Sequence, residues 1–119
     1  MELYKIGYDV ENNKNKNGFV TVDEKDSLKD YYKHIETDIV EMVDLTEDII
    51  AIVDEEGLFK MRNPVYEFNV NGHKFTLVGN ILLGKLEVDG YDTNIVSIDA
   101  STVSNFIKQA GVRIIGYTS

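Results

Sequence analysis

The sequence predicts an α+β fold in which a mainly antiparallel, strongly twisted sheet has two helices packed on it. Three observations predict this class. Ile49 to Val53 is an unbroken apolar run of mostly β-branched residues, which is typical of a strand buried on both faces. Asn71-Gly72 is a strong signal for a two-residue hairpin turn. Residues 26–35 and 99–110 repeat apolar side chains at helical spacing.

Size and composition predict a single domain over residues 1–119 that is soluble and cytoplasmic. A chain of 119 residues can bury one core but not two. The absence of cysteine excludes disulfides and thiolate metal sites. No apolar run approaches the roughly 20 residues that span a bilayer, and the first ten residues lack the pattern of a signal peptide, so we expect no membrane association.

The chain is acidic, with a formal net charge of −9 and 21 Asp and Glu residues against 12 Lys and Arg. This balance opposes direct binding to nucleic acid, which depends on cationic neutralisation of phosphates. From Glu36 to Glu56 there are nine carboxylates and no Lys or Arg. Eight of them are the candidate partner-binding residues: Asp38, Glu41, Asp44, Glu47, Asp48, Asp54, Glu55 and Glu56. They could form a solvated rim that only keeps the protein soluble, or a surface that binds a basic partner.

The first 22 residues predict two strands separated by a polar loop over residues 12–18. Three asparagines of this loop occupy the first, third and fifth positions of a calcium-binding EF-hand loop, and Glu24 occupies the twelfth. Amides replace the expected carboxylates, and a strand precedes the loop where an EF-hand has a helix. We therefore predict a hairpin loop without useful calcium affinity.

The candidate acids fall in and around a predicted hairpin. Asp26 or Ser27 is expected to cap a helix whose apolar stripe is Leu28, Tyr31, Tyr32 and Ile35. After this helix, Asp38 to Leu45 is predicted to be a strand that pairs with the strand from Ile49 to Val53. The turn that follows, Asp54-Glu55-Glu56-Gly57, should lie at the surface. This arrangement places the acids along strand ends and turns.

The Asn71-Gly72 turn also predicts a register. A two-residue loop sets Phe68 opposite Phe75 on an apolar face, together with the pairs Val70–His73 and Tyr66–Leu77. The other face carries Glu67 opposite Thr76 and Asn69 opposite Lys74, so the polar alternation selects the same register. His73 is expected to be a partly buried histidine at the hairpin end, without a catalytic or metal role.

The last third of the chain predicts further strands and the second helix. Val78 to Gly84 is expected to be one apolar strand with a glycine bulge or bend. Asp89-Gly90 gives a second hairpin turn, after which Ile95, Val96 and Ile98 return to the core. Asp99 should cap the second helix and Gly111 should end it, before a closing strand from Val112 to Tyr117.

This order of elements resembles a family of small phage- and plasmid-encoded domains of unknown function. The likeness covers most of the chain after Ser27. It is carried by Asp54-Glu55-Glu56-Gly57-Leu58-Phe59, by Asn63, by Leu77-Val78-Gly79-Asn80-Ile81-Leu82 and by Ser97-Ile98-Asp99. The resemblance implies an accessory protein of a mobile element and brings no active site with it.

Two classes of function compete. In the first, the chain is a non-enzymatic protein whose acidic surface binds a basic host protein, as a nucleic-acid mimic or an inhibitor of a defence factor. In the second, it binds a small, nucleotide-like ligand by stacking and phosphate contacts. The residues suited to that role are Tyr31, Tyr32, Tyr66 and Tyr91 with Lys60, Arg62 and Arg113. A homodimer is compatible with either class.

Catalysis is the least favoured reading of the sequence. No nucleophile and base pair, metal-ligand cluster or cofactor motif is recognisable, and no Gly-x-Gly-x-x-Gly or Walker pattern occurs. We therefore assign no catalytic residue, metal ligand or cofactor from the sequence. Carboxylates that are distant in sequence could still meet in the fold.

Overall fold

A computed structural model describes all residues from 1 to 119, with eleven strands and two α-helices. In chain order the elements are β1 (Glu2–Ile6), β2 (Tyr8–Asp9), β3 (Lys14–Asn15), β4 (Gly18–Thr21), α1 (Ser27–Ile35), β5 (Val40–Asp44), β6 (Ile49–Asp54), β7 (Pro64–Val70), β8 (His73–Val78), β9 (Ile81–Asp89), β10 (Asp92–Val96), α2 (Ala100–Ala110) and β11 (Arg113–Tyr117). Every strand pairing is antiparallel. The predicted α+β class with mainly antiparallel pairing is confirmed.

The strands form more than the one sheet that the sequence predicts. A six-stranded sheet has the order β4-β1-β9-β6-β5 with β10 also paired to β9, a three-stranded sheet has the order β11-β7-β8, and β2 and β3 form a short ribbon. The separation occurs at Gly79, whose φ of +84° turns the chain so that β8 and β9 enter different sheets. The expectation of one continuous strand over this stretch is therefore wrong, whereas the expected glycine bend is present at Gly79. The strong twist and the single-domain organisation stay predictions.

Strand β6 is the apolar run from which the fold was predicted, and all six of its residues are buried. It pairs with β5 on one side and with β9 on the other. Ala51 and Val53 belong to a core cluster of 15 buried residues that also includes Phe68 of β7. Ile52 belongs to a second cluster of six residues. The prediction of a strand buried on both faces is confirmed.

The two helices contribute to different clusters. Tyr31 and Ile35 of α1 are in the smaller cluster, whereas Leu28 is 47% exposed, so the buried stripe is narrower than predicted. Asp26 precedes α1 but makes no capping hydrogen bond with its side chain. Neither helix combines the length and apolar content that crossing a membrane requires.

Helix α2 has both of its predicted ends. The carboxylate of Asp99 accepts a hydrogen bond from the backbone N–H of Thr102 at 2.8 Å. Gly111, with φ of +57°, is left-handed and donates its N–H to the carbonyl of Ile107. Val103, Phe106 and Ala110 are buried in the larger cluster.

The hairpin of β7 and β8 has the predicted register. Val70 lies opposite His73, Phe68 opposite Phe75 and Tyr66 opposite Leu77. Asn71 and Gly72 both have positive φ, as a type I′ turn requires. His73 is exposed, so the expectation of partial burial is wrong. It lies next to the turn, opposite the buried Val70, and its ring meets the ring of Phe75 edge to face with centroids 4.6 Å apart.

The polar loop after β1 is a hairpin, as predicted. Tyr8 pairs with Asn15 and Asp9 with Lys14, while Gly7 separates β1 from β2 where one continuous strand was expected. The amide oxygen of Asn17 accepts a hydrogen bond from the N–H of Gly7 at 2.9 Å. The amide oxygen of Asn15 accepts one from the N–H of Asn17 at 2.6 Å. Two of the three asparagines therefore bind the backbone of the loop itself, and the lack of useful calcium affinity stays a prediction.

Candidate partner-binding surface

The candidate acids lie on and around the hairpin of β5 and β6. Strand β5 is at the edge of the six-stranded sheet, and its residues 40–44 pair with residues 50–54 of β6. The hydroxyl oxygen of Thr46 accepts hydrogen bonds from the N–H groups of Asp48 and Ile49 at 3.0 and 2.9 Å. This contact closes the turn between the two strands. The predicted hairpin is confirmed, and it holds the acids at one edge of the sheet.

Seven of the eight candidate acids are exposed and take part in no ion pair. They are Asp38, Glu41, Asp44, Glu47, Asp48, Glu55 and Glu56. The acids of the four ion pairs in the structure are Glu36, Asp54, Glu11 and Glu67. The seven exposed carboxylates therefore leave this edge with negative charge that no Lys or Arg of the chain neutralises.

These seven acids do not lie on one face. Successive strand residues point to opposite faces, so Glu41 shares a face with Val43, which packs against the larger cluster. Asp44 points to the opposite face, with Val40, which packs against the smaller cluster. A strand residue advances the chain by about 3.4 Å, so the two ends of the hairpin are roughly 17 Å apart. We call Asp44, Glu47 and Asp48 the turn end, and Asp38, Glu41, Glu55 and Glu56 the loop end.

Asp54 is not part of the exposed set, and its assignment to a partner-binding surface is wrong. It is only 8% exposed, and its Oδ2 lies 2.6 Å from Nζ of Lys60. Its Oδ1 accepts hydrogen bonds from the hydroxyl of Thr37 and the N–H of Glu56, both at 2.9 Å. Strand alternation turns this side chain toward the face that α1 covers, where these three groups enclose it.

The pKa of Asp54 reflects the groups that surround its carboxylate. Burial alone would raise this pKa, but the hydrogen bonds from Lys60, from the N–H of Glu56 and from Thr37 favour the charged form more strongly. The pKa is therefore lower than its ordinary value. Asp54 is a charged structural residue that ties the end of β6 to the segment that follows.

That segment, residues 55–63, is fixed by hydrogen bonds at several points. The side-chain amide of Asn63 donates to the carbonyl of Gly57 at 3.0 Å. The hydroxyl of Thr118 donates to the carbonyl of Lys60 at 2.6 Å and accepts from the N–H of Asn63 at 2.8 Å. A Cβ at Gly57 would lie 2.9 Å from the carbonyl oxygen of Val78, so only glycine fits there. The segment is a defined structure between β6 and β7.

This fixed segment exposes three large apolar side chains. Leu58 is 70% exposed, Phe59 is 85% exposed and Met61 is 74% exposed. We call these three residues the apolar loop. Our sequence interpretation did not identify them as functional. The sequence contained one signal that could have identified them. Three large apolar residues occur within four positions, between an acidic turn and Asn-Pro, and their spacing is neither alternating nor helical.

A groove joins the apolar loop to the acids of the loop end. It lies between β5 and β8 and has a volume of about 290 Å³. Glu41 and Glu55 line it together with the apolar side chains of Val43, Leu58 and Phe75. Carboxylates and exposed apolar surface therefore meet in one place, close to the buried Asp54.

The largest cleft lies on the other face of the six-stranded sheet, next to α1. It has a volume of about 780 Å³ and is lined by Tyr31 and by apolar side chains that include Met42 and Ile95. Glu24 and Asp44 also line it, and no Lys or Arg does. Tyr31 is the one predicted stacking residue in this cleft, and a phosphate would find no cationic side chain beside it.

The structure does not bring together the residues proposed for a nucleotide-like ligand. Lys60 pairs with Asp54, Arg62 pairs with Glu11 at 3.2 Å, and Arg113 pairs with Glu67 at 3.2 Å. Only Tyr66 and Arg113 meet, in a cavity of about 200 Å³. This cavity is smaller than the roughly 300–1,000 Å³ that is usual for small-molecule sites.

Fold and surface thus define an α+β protein whose edge strand is bordered by unpaired acids and a fixed apolar loop. Comparison of the chain with protein families, with curated proteins and with solved structures finds no match in any of the three. The resemblance to a phage- and plasmid-encoded family therefore stays a prediction.

Proposed function

We propose that this chain is a non-enzymatic interaction protein that binds a basic partner protein through the exposed acids around β5. The observation that carries the proposal is the set of seven exposed carboxylates without an ion pair. Neighbouring like charges cost stability, and Lys or Arg side chains of a partner would remove that cost on binding. The net charge of −9 would also accelerate the encounter with a basic surface.

The partner that fits this chemistry is a host protein with a groove for nucleic acid, such as a nuclease or another defence factor. In that groove the carboxylates would stand in for phosphates. Such a role agrees with the predicted origin in a mobile element and with the cytoplasm as the place of action, and both remain predictions. The absence of direct nucleic-acid binding belongs to the same proposal, because the acids repel phosphates.

A competing explanation is that the acids only protect the edge strand. Charged side chains on an edge strand discourage pairing with other chains. Glu41 and Asp44 lie on opposite faces of β5, which suits protection of the strand as well as recognition. The two explanations differ in whether a partner protein binds to these acids, because protection of the edge strand alone requires no partner.

Grouped charge reversal distinguishes them. The protein is used for affinity purification from its natural host at low and at raised salt, because exposed ion pairs are screened over about 8 Å at physiological ionic strength. The turn-end variant carries Asp44→Lys, Glu47→Lys and Asp48→Lys, and the loop-end variant carries Glu41→Lys, Glu55→Lys and Glu56→Lys. A matched control reverses three exposed acids of the β9–β10 hairpin, namely Glu87, Asp89 and Asp92.

We expect a basic partner that is lost in at least one of the two test variants and at raised salt, and that the control variant retains. All three variants have the same net charge, so equal loss in all of them would show that only total charge matters. That result, or a partner that every variant retains, overturns the proposed surface.

The cleft beside α1 supports a second candidate function, the binding of a small ligand. Its volume of about 780 Å³ is within the range of small-molecule sites, although Tyr31, the aromatic residue that lines it, is only 3% exposed. The carboxylates of Glu24 and Asp44 favour a cationic ligand over a nucleotide. Thermal shift assays with spermidine and with ATP test this candidate, and saturable stabilisation by either would support ligand binding. Asp44→Asn should weaken a spermidine response and leave an ATP response in place.

A further inference from the structure

We infer that the apolar loop inserts into an apolar pocket on the basic partner, while the acids of the loop end contact Lys and Arg side chains around that pocket. This inference rests on the proposed function and names the part of the surface that dominates binding. The docking element is Leu58, Phe59 and Met61, and the flanking acids are Glu41, Glu55 and Glu56.

The exposure of the apolar loop is the first observation. Its three side chains are 70%, 85% and 74% exposed, although they lie within four consecutive residues. Scattered exposed apolar residues are normal on a protein surface, but a contiguous group marks a site that another molecule covers. Large apolar side chains also contribute most of the binding energy at protein interfaces when they enter a pocket.

The second observation is that the loop is held in place from both sides. Lys60, between Phe59 and Met61, is fixed through its side chain by Asp54 and through its carbonyl by Thr118. Asn63 holds the carbonyl of Gly57 at the start of the loop. A segment that is already ordered loses little conformational entropy when it binds, so more of the contact energy appears as affinity.

The charges around the loop identify the chemistry of the partner. Glu55 and Glu56 directly precede the loop, and Glu41 lines the adjoining groove. Two cations are near the loop: Lys60 is turned back onto Asp54, and Arg62, which follows Met61, is paired with Glu11. A partner pocket surrounded by Lys or Arg would be complementary, whereas a second copy of this chain or an anionic membrane would bring like charges together.

Site-specific photo-crosslinking tests direct contact. Phe59 is replaced by p-benzoylphenylalanine in the full chain, and the matched control carries the same group at Tyr91, which is fully exposed on the distant β9–β10 turn. In cells of the natural host we expect a basic protein to crosslink from position 59 and not from position 91. The absence of a crosslink, equal crosslinking from both positions, or a crosslink to lipid or to a second copy overturns the inference.

Affinity measurements with the crosslinked protein then separate this inference from the proposed function. We compare the double variant Leu58→Ser, Phe59→Ser with the control Val88→Ser, Tyr91→Ser, which alters two equally exposed side chains on the β9–β10 hairpin. All four side chains are exposed, so thermal unfolding should change little in either variant. We expect at least a tenfold weaker affinity for the first variant and an unchanged affinity for the control.

The outcomes are distinct. If the loop-end charge reversal abolishes binding and the Leu58→Ser, Phe59→Ser variant binds normally, the proposed function stands and this inference is overturned. If the apolar substitutions abolish binding while charge reversal and salt have no effect, the partner is not recognised through the acids. The proposed function is then overturned, and so is the inference that Lys and Arg side chains surround the partner's pocket. Loss of affinity in both variants supports both.

Discussion

Nζ of Lys60 lies 2.6 Å from Oδ2 of Asp54, so the cation between Phe59 and Met61 neutralises the one buried acid of the acidic hairpin. This contact joins two neighbouring features of the surface. The hairpin supplies exposed charge, the loop supplies exposed apolar area, and the ion pair joins the end of β6 to the loop. Loss of Asp54 should therefore affect the loop without removing any exposed acid.

Asp54→Asn should lower the free energy of unfolding by about 2 kcal/mol at pH 7. The substitution removes the charge but keeps the size of the side chain, and it leaves Lys60 and Thr37 without their charged acceptor. Urea denaturation measures the change. The control is Glu55→Gln, an exposed and unpaired acid next in the chain, which should change stability by less than about 0.5 kcal/mol. Equal effects of the two substitutions would contradict this account of Asp54.

The stability supplied by Asp54 should disappear in acid. Its pKa is lowered from the ordinary value of 3.8 because hydrogen bonds to the charged form outweigh burial, which alone would raise it. A carboxyl whose pKa is lower in the folded state stabilises the fold above the unfolded pKa and loses this effect as the pH falls through the folded pKa. The difference in unfolding free energy between the wild type and Asp54→Asn should therefore be full at pH 6 and smaller at pH 2.5. A difference that stays constant over this range would refute the assignment.

Tyr66 should be among the last tyrosines to ionise. Burial, with a smaller contribution from the nearby Tyr117, raises its pKa from 10.0 to about 12. Because the raised pKa favours the neutral form in the folded state, the contribution of Tyr66 to stability is full below pH 10 and is lost as the pH rises through the folded pKa of Tyr66. Absorbance titration at alkaline pH measures the ionisation, and Tyr66→Phe should remove the step near pH 12. An unchanged titration curve in that variant would show that another residue causes the step.

Gly84→Ala should destabilise the protein by about 1–2 kcal/mol, because strand β9 has no room for a side chain there. A Cβ at this position would lie 2.8 Å from Cγ2 of Ile95 and 3.0 Å from Cδ2 of Leu3. Ile95→Leu removes the Cγ2 methyl that would meet the new Cβ. The double variant Gly84→Ala, Ile95→Leu should therefore be more stable than the sum of the two single destabilisations predicts. A double-mutant cycle by chemical denaturation tests this coupling, and strict additivity would exclude the proposed clash.

Gly72→Val should lower the free energy of unfolding by about 2 kcal/mol, through backbone strain alone. Gly72 has φ of +81°, and no atom lies within 4 Å of a Cβ built there, so no steric clash contributes. Gly72→Asn should cost less, because asparagine tolerates the left-handed region. Gly18→Ala is the control, since Gly18 is equally open but has no positive φ. Thermal unfolding of the three variants should rank them Gly72→Val, Gly72→Asn, Gly18→Ala from least to most stable.

The features that the sequence predicted correctly are those set by neighbouring residues. The register of β7 and β8 follows from the two turn residues and the alternation on both sides of them, and the start of α2 follows from Asp99 and the helical spacing after it. The burial of β6 follows from its own composition. In each case the decisive interactions span only a few positions.

The incorrect predictions concern contacts between distant segments. Asp54 was grouped with exposed acids because its burial depends on Thr37 and Lys60, which approach it from two different loops. The division into two larger sheets depends on the turn at Gly79, which a glycine in an apolar run does not distinguish from a bulge. The apolar loop was overlooked because exposure is a property of the complete fold and not of residue type.

The hydrogen bonds of Thr118 determine when the apolar loop acquires its shape. The hydroxyl of Thr118 binds Lys60 and Asn63 across separations of 58 and 55 residues. Closing so large a segment is entropically costly until intervening structure has formed, so we expect these two bonds to form after the local contacts of the loop. The contacts of Lys60 with Asp54 and of Asn63 with Gly57 span six residues each, and Thr118 should complete the loop once β11 has paired with β7. A newly made chain would therefore acquire the final conformation of the apolar loop as one of the last steps of its maturation.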